Sequence, residues 1–165
     1  MRNIVLLLHD IRSTHNVGSL FRTAECMGVS QIYISGYTPY PVHENDQRLP
    51  HIRNKLQAQI EKTALGTTQI VQWTHCENIT DLLDTLKSNG YMLVALEQHS
   101  KSTPLPDWRP PQKIALLIGR EVEGIEDTLL KAFDESIEIP QLGKKESLNV
   151  VQATAIALYH AQFAK

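Results

Sequence analysis

The sequence contains few cysteines and lacks any long apolar run. Only two of its 165 residues are cysteine, Cys26 and Cys76, and they form neither a CxxC motif nor a disulfide framework. This scarcity is typical of a reducing compartment, so we expect a cytoplasmic protein. The apolar run at residues 4–8 is too short for a signal-peptide core or a membrane span, and it indicates a buried strand instead.

Several common site motifs are also missing. The seven histidines never stand at zinc-ligand spacing, so the sequence predicts no metal site. No GxGxxG follows the first predicted strand, and Gly119 and Gly124 have P-loop spacing but are followed by Ile125 instead of the phosphate-binding lysine. A GxSxG elbow is absent, which makes Ser147 a poor hydrolase nucleophile. These absences argue against a dehydrogenase, a P-loop NTPase and a serine hydrolase.

Charge is modest overall but unevenly distributed. The chain is 42% hydrophobic and 21% charged with a formal net charge of −2, as expected of a single globular domain covering residues 1–165. Residues 1–62 carry seven Lys or Arg against five Asp or Glu, whereas residues 63–165 have a net charge of −4. An anionic partner should therefore approach the N-terminal part of the chain.

Hydrophobic patterning predicts strands and helices in alternation. The predicted strands cover residues 3–9, 31–35, 69–73, 91–97, 114–118 and 137–139, and the predicted helices 16–28, 51–63, 78–89, 126–133 and 150–159. Asn16 is expected to cap the first helix, and Asn78 or Thr80 the third. Residues 36–50 form a long loop, and residues 100–112 a connector with four prolines. The predicted fold class is α/β, with a mostly parallel sheet of five or six strands flanked by helices.

The last predicted helix, at residues 150–159, has no charge and no clean polar face. Such a helix is buried on two sides. One side can pack on its own sheet and the other on a second subunit, which predicts a homodimer. The alternative is a C-terminal helix buried in a single core.

Three polar clusters follow predicted strands, at residues 16–22, 119–124 and 140–149. The carboxyl ends of parallel strands share one edge of the sheet, where open α/β sheets bind their ligands. In the third cluster Ser147 and Asn149 stand where a helix begins, so helix capping is an alternative to a role in a site.

Taken in order, the clusters resemble the three motifs of the SpoU/TrmH family of SPOUT-class RNA ribose 2′-O-methyltransferases. They read Asn16-x-Gly18-x-x-x-Arg22, Leu117-Ile118-Gly119-x-Glu121-x-x-Gly124-Ile125, and Ile139-Pro140-x-x-Gly143-x-x-x-Ser147-Leu148-Asn149-Val150. The resemblance covers almost the whole chain. It implies a C-terminal trefoil knot, S-adenosyl-L-methionine (AdoMet) folded against it, a homodimer, and methyl transfer to a ribose 2′-hydroxyl. Glu97-Gln98 and Ile139-Pro140-Gln141 resemble the branch that methylates tRNA, including guanosine in the D-loop, more than the rRNA branch.

The resemblance also implies catalytic residues, with Arg22 in the central role. A ribose hydroxyl is a weak nucleophile, so it must be held in line with the methyl group while the developing oxyanion is stabilised. Because a guanidinium stays protonated, Arg22 is expected to grip the adjacent phosphate and stabilise the oxyanion rather than act as a base. Asn16 and Glu121 are expected to fix the loops around Arg22, and Ser147 and Asn149 to lie near the catalytic centre.

Further residues are expected to bind the cofactor and the RNA. The cofactor residues implied by the resemblance are Ala95, Leu96, Glu97, Leu117, Ile118, Gly119, Ile139, Leu142, Leu148 and Asn149. No separate RNA-binding domain is evident in this sequence, so the expected RNA contacts lie on the domain itself and comprise Arg12, His15, Arg48, His51, Arg53, Lys55 and Lys62.

Two alternative functions remain open at the level of sequence. The first is an RNA-binding or assembly protein that kept the fold and lost catalysis, against which the presence of Arg22 and Asn149 argues. The second is a nucleotide- or flavin-binding sheet protein, which a bound flavin or nucleotide would reveal.

Overall fold

The computed structural model describes residues 1–119 and 124–164. Strands and helices alternate along most of this part of the chain, but the three strands between residues 92 and 118 follow one another without an α-helix between them. The strands are β1 (Asn3–His9), β2 (Gln31–Ser35), β3 (Trp73–Cys76), β4 (Met92–Leu96), β5 (Thr103–Pro104), β6 (Lys113–Ile118) and β7 (Glu135–Glu138). The helices are α1 (Thr14–Cys26), α2 (Pro50–Ala64), α3 (Ile79–Ser88), α4 (Asp127–Leu130) and α5 (Val150–Phe163).

The seven strands form one sheet in the order β3-β2-β1-β6-β4-β7-β5. Every neighbouring pair is parallel, which confirms the predicted fold class. The continuous apolar sequence of β1 suits its place near the middle, where it pairs with both β2 and β6. Since all strands run the same way, their carboxyl ends meet at one edge of the sheet. The C-terminal knot stays a prediction.

Side chains that alternate along the strands divide the core into two layers. Ile4, Leu6 and Leu8 of β1 face the layer that contains α1, α2 and α5. Val5 and Leu7 face the opposite layer, beneath α3. Near the end of a strand, the direction of a side chain therefore determines on which face of the sheet it lies.

Helices α1 and α2 approach each other closely at Gly18. A Cβ atom at this position would collide with the carbonyl oxygen of Ile60 and the hydroxyl of Thr63 on α2. The glycine of the first motif therefore permits helix packing, which holds α1 at the carboxyl end of β1.

The end of α5 is held by Arg2 from the other end of the chain. Its guanidinium donates to the carbonyl oxygens of Ala161 and Ala164 at 3.0 Å each, and to that of Pro110 at 3.1 Å. The last carbonyl groups of a helix lack partners within the helix, and a cation beside them is favourable. Arg2 thereby fixes α5 against the sheet.

Three predicted details are wrong. Residues 67–69 form a 3-10 turn and the third strand is Trp73–Cys76, because the chain continues from that turn with Ile70 exposed and Val71 buried before the strand begins. Helix α1 begins at Thr14 and is capped by Ser13, whose hydroxyl accepts from the backbone N–H of Asn16 at 3.2 Å. The connector contains the two-residue strand β5, which raises the number of strands to seven.

Metal-ligand clusters and membrane-spanning helices are both missing from the part of the chain described above. No three His, Cys, Asp or Glu side chains among those residues are grouped so that they could hold a metal ion. Within the same residues, every helix is too short or too polar to span a bilayer.

Candidate functional site

A cleft of about 480 Å³ opens at the carboxyl ends of β4, β6 and β7 and beside the start of α5. It combines residues from three separate parts of the chain, which only the parallel sheet brings together. Its walls are Leu96, Glu97, Gln98, Ile118, Gly119, Gly124, Glu138, Ile139, Gln141, Glu146, Ser147, Leu148, Val150 and Ala153.

One side of the cleft is apolar. Leu96 and Ile118 end the paired strands β4 and β6 and are opposite each other in register, so their side chains lie next to each other on the same face. Ile139 and Leu148 line the cleft from the segment after β7, and the first turn of α5 contributes Val150. Such a wall suits a flat, weakly polar group.

Glu97 fastens two of the loops around the cleft. One of its carboxylate oxygens accepts from the backbone N–H of Gln98 at 3.0 Å, and the other accepts from that of Ile125 at 2.8 Å. Gly124 has a φ of +72°, and a Cβ atom there would come within 2.8 Å of the Glu97 carboxylate. The glycine and the glutamate therefore fit together and hold the second motif against the end of β4.

The walls of the cleft also include polar and negatively charged residues. Glu138, Gln141, Glu146 and Ser147 are among them. Carboxylates at a cleft favour a ligand that carries positive charge or several hydrogen-bond donors. A small molecule with an apolar ring and a cationic group would match both sides.

Six of the expected cofactor residues line this cleft, namely Leu96, Glu97, Ile118, Gly119, Ile139 and Leu148. The side chains of Ala95 and Leu117 instead point into the opposite layer of the core, because neighbouring residues of a strand alternate in direction. Leu142 is fully exposed and stands outside the walls. The oxygen of the Asn149 side chain caps α5 by accepting from the backbone N–H of Val151 at 2.9 Å.

Several other wall residues were not among the expected cofactor-binding or catalytic residues. Gln98, Glu138 and Gln141 directly adjoin predicted residues, so the strand-end rule could have included them. Val150 and Ala153 lie three residues apart on α5 and both line the cleft. Helical spacing could have indicated them once the start of the helix was known.

The expected catalytic residues are spread over several elements. Ser147 lines the cleft, whereas Arg22 is an exposed residue on α1 and lies outside the cleft walls. Arg22 makes no hydrogen bond or ion pair with another residue in 1–119 or 124–164. Asn16 is half-buried in the first turn of the same helix. Glu121 lies outside the described residues.

Most of the expected RNA contacts lie on one side of the molecule. His15 is exposed on the first turn of α1, and His51, Lys55 and Lys62 are exposed on the neighbouring α2, where Arg53 is half-buried. Arg12 is exposed in the loop between β1 and α1.

Arg48 differs from the other expected contacts because its guanidinium is engaged within the protein. It forms an ion pair with the buried Asp46 and donates to the carbonyl oxygens of Tyr40 and Pro41 at 3.0 and 3.1 Å. The guanidinium also lies 3.6 Å from the centroid of the Tyr40 ring. These contacts close the long loop on itself and leave few donors for a partner.

The same loop is stacked on the edge of the sheet. The ring of Tyr40 lies 4.1 Å from that of His75 on β3, and 6.4 Å from that of Trp73. Burial, helped by the nearby charges of His43 and Arg48, lowers the pKa of His75 below its usual 6.5. Protonation of His75 is therefore less favourable in the folded protein than in an exposed imidazole.

Comparison with known proteins connects this geometry to a family. Over 156 residues the chain is 29% identical to a Borreliella burgdorferi protein named tRNA (guanosine(18)-2′-O)-methyltransferase, which matches 94% of this chain and 64% of the relative. The chain thus spans less than two thirds of that relative's length.

Solved structures show the same fold. An AdoMet-bound rRNA methyltransferase from Sinorhizobium meliloti superimposes with a TM-score of 0.81 at 24% identity, over 96% of this chain and 55% of that one. The A. aeolicus TrmH/SpoU tRNA modifying enzyme superimposes with a TM-score of 0.80 at 23% identity, over 98% of this chain and 75% of that one.

The model of the SpoU rRNA Methylase family matches residues 3–159. This range contains the three sequence motifs and every wall residue of the cleft. The resemblance inferred from the motifs is thereby confirmed, and the chain belongs to the SpoU rRNA Methylase family.

Proposed function

We propose that this protein transfers a methyl group from AdoMet to a ribose 2′-hydroxyl of RNA, with tRNA favoured over rRNA and guanosine of the D-loop as the favoured target. The observation that carries the proposal is the cleft, which is assembled from the second and third family motifs at the ligand-binding edge of the sheet. The name of the Borreliella burgdorferi relative supports the choice of tRNA and of guanosine.

The residues of the cleft fit AdoMet on two counts. The apolar residues Leu96, Ile118 and Leu148 would hold the adenine, and the negative charges of Glu138 and Glu146 in the walls would favour a ligand with cationic groups. When bound, AdoMet supplies an electrophilic methyl group on a positively charged sulfur. The protein's contribution is to orient this group and to keep the surrounding loops in place, for which the contacts of Glu97 are suited.

Arg22 is the proposed contact to the reacting nucleotide. Its five N–H donors project from the exposed side of α1, so they can receive a phosphate without first breaking an ion pair to any of residues 1–119 and 124–164. A bound phosphate would align the ribose, and the same charge would stabilise the oxyanion that develops on the hydroxyl. Water or the phosphate would take the proton.

RNA would lie across α1 and α2. Apart from Arg48, the basic residues expected from the sequence remain proposed phosphate contacts: Arg12, His15, His51, Arg53, Lys55 and Lys62. Since each phosphate contact releases counterions, binding should weaken as salt is raised. If RNA affinity were unchanged between low and high salt, this surface would be the wrong one.

A second copy of the chain is the proposed partner of α5. Ile156, Tyr159 and Phe163 are exposed on the side of the helix that faces away from the sheet, and the rings of Tyr159 and Phe163 lie 4.9 Å apart. A stripe of large apolar side chains beside the cleft is suited to a two-fold interface.

The decisive experiment incubates the protein with labelled AdoMet and total RNA from a strain lacking its gene, followed by nucleoside mass spectrometry. One 2′-O-methylated nucleoside is expected in the tRNA fraction. The Arg22→Ala variant should lose about 100-fold in rate while it folds normally, as expected when a charge-stabilising contact is removed. Arg109→Ala removes an exposed guanidinium near the amino end of β6 and should leave the rate unchanged.

Two outcomes would contradict the proposal. A normal rate in Arg22→Ala would exclude the assigned role of this residue. If no RNA fraction were labelled although AdoMet and RNA both bound, the protein would be an RNA-binding member of the family without catalytic activity.

A further inference from the structure

The loops that follow β1 and β2 are fastened to each other. The backbone N–H of Ile11 donates to the hydroxyl of Thr38 at 3.0 Å, and the backbone N–H of Tyr37 donates to the carboxylate of Asp10 at 3.1 Å. The Thr38 hydroxyl in turn donates to the carbonyl oxygen of Leu8 at 3.3 Å. Both Thr38 and Asp10 are buried, so these bonds are shielded from water.

Two residues with positive φ make this connection possible. Asp10 has a φ of 58° and Gly36 a φ of 64°. A Cβ atom at Gly36 would run into the Asp10 carboxylate, so only glycine allows the two loops to come this close. A left-handed backbone at a residue other than glycine persists where the surroundings enforce it, and here the bonds to Asp10 and Thr38 do so.

This rigid pair of loops presents two side chains to solvent. The Tyr37 ring is 48% exposed, although its own backbone is held in place. The guanidinium carbon of Arg12, from the other loop, lies 6.0 Å from the centroid of that ring. An aromatic ring on a fixed backbone beside a cation is the combination that proteins use to stack single-stranded bases and hold the adjoining phosphate.

The position of the pair relates it to the cleft. β1 pairs with β6, whose last residue Ile118 lines the cleft, and β2 pairs with the other side of β1. Tyr37, which follows β2, is therefore two strand spacings from the cleft, or about 10 Å along the same edge of the sheet. This separation suits a nucleotide close to the one whose ribose enters the cleft.

We propose that Tyr37 and Arg12 form a stacking platform for the base of a nucleotide that flanks the methylated one, with Arg12 also contacting its phosphate. The proposal rests on the proposed function, since it assigns a further part of the RNA site. Tyr37 is a positioning residue in this scheme, and it touches neither the methyl group nor the reacting hydroxyl. Stacking on a π-face is tolerant of base identity, so the platform fixes register more than sequence.

The test compares Tyr37→Phe, Tyr37→Leu and Tyr37→Ala with the unaltered protein. The probe is a tRNA pool from a strain lacking the gene, used both for affinity by fluorescence anisotropy and for methyl transfer. Tyr37→Phe should bind within about twofold of the unaltered protein, while Tyr37→Ala should bind roughly 5- to 100-fold more weakly, since only the former keeps a ring for stacking. Tyr37→Leu retains apolar bulk without a π-face and should resemble Tyr37→Ala.

Two further readouts separate stacking from a structural role. Tyr37→Leu and Tyr37→Ala should raise the KM for tRNA, whereas kcat at saturating tRNA and the affinity for AdoMet measured by calorimetry should stay unchanged. Ile70→Ala serves as the control, because it removes an exposed apolar side chain that precedes β3, at the amino ends of the strands. It should change neither the KM for tRNA nor tRNA affinity.

Each outcome bears on one proposal or the other. If all three variants bound and methylated tRNA like the unaltered protein, the platform would be refuted and the proposed function would stand. Loss of AdoMet binding or of stability in Tyr37→Ala would likewise overturn it, by showing a structural role. If the unaltered protein bound tRNA without methylating it, the proposed function would fail, while the expected ranking of affinities would still establish the platform.

Discussion

Replacing Arg48 by alanine tests whether this arginine holds the long loop together or contacts RNA. In the folded protein the Asp46 side chain is 0% exposed and its carboxylate is paired with the Arg48 guanidinium. The same guanidinium donates to the carbonyl oxygens of Tyr40 and Pro41. Arg48→Ala would leave a buried carboxylate without its cation and two carbonyl groups without a donor.

The structure sets the size of the expected effect. Breaking a buried ion pair by removing one partner typically costs about 3–5 kcal/mol. The Arg48 side chain is 17% exposed, so water can reach part of the vacated space, and the lower end of this range applies. We expect the free energy of unfolding to fall by about 3 kcal/mol. The Asp46→Ala/Arg48→Ala double variant should lose about 1–3 kcal/mol less than the sum of the two single variants, since it leaves no unpaired charge.

The assay combines urea unfolding with hydrogen exchange of residues 36–50 and with tRNA affinity at a temperature where every variant is folded. Lys55→Ala is the matched control, because Lys55 is exposed on α2. It should stay within about 0.5 kcal/mol of the unaltered protein in stability while binding tRNA more weakly.

The opposite pattern would refute the reasoning. If Arg48→Ala were as stable as the unaltered protein, with unchanged exchange in residues 36–50 but clearly weaker tRNA binding, Arg48 would be an RNA contact. The internal ion pair would then contribute little to the fold.

Two more predictions concern pH and assembly. The hydrogen bond from Arg48 holds the pKa of Asp46 well below its usual 3.8, and burial lowers the pKa of His75 below 6.5. The stability gained from each of these two pKa shifts is fully present above about pH 7. As the pH is lowered, the melting temperature should fall first when His75 becomes protonated and again below about pH 4 when Asp46 becomes protonated. If the melting temperature of Asp46→Asn fell as much below pH 4 as that of the unaltered protein, Asp46 would not be the group responsible for this loss of stability. Phe163 is 65% exposed on α5, so Phe163→Glu should raise the dimer dissociation constant, measured by sedimentation, at least about tenfold. Ile70→Glu is the control, because Ile70 is 63% exposed away from α5 and its replacement should not change that constant. A monomeric unaltered protein would disprove the interface.

Much of the fold followed from local patterns. Strands β1 and β2 have the predicted bounds, because continuous apolar runs bounded by polar or glycine residues are characteristic of buried parallel strands. Asn78 caps α3 as predicted, accepting from the backbone N–H of Thr80 at 2.9 Å. These elements are determined by nearest neighbours and by the requirement that buried backbone groups be hydrogen-bonded.

The errors lie where local preference competes with packing. The alternation around Ile70 is suited to a strand, yet the chain needs a turn there to bring β3 alongside β2. At the start of α1 both Ser13 and Asn16 can cap, and the geometry of the loop after β1 selects Ser13. Neither outcome can be read from a window of a few residues, since each depends on a distant partner.

The sequence by itself determined the α/β class with its mostly parallel sheet, the family, and about half of the residues along the cleft, because motifs that follow strand ends can be recognised without the fold. Only the tertiary structure decided how these side chains are used. It turns Leu96 and Ile118 into the cleft and Ala95 away from it, and it commits Arg48 to Asp46 within the long loop. The physical reason is that side-chain direction and ion pairing depend on register and on contacts between segments far apart in the chain.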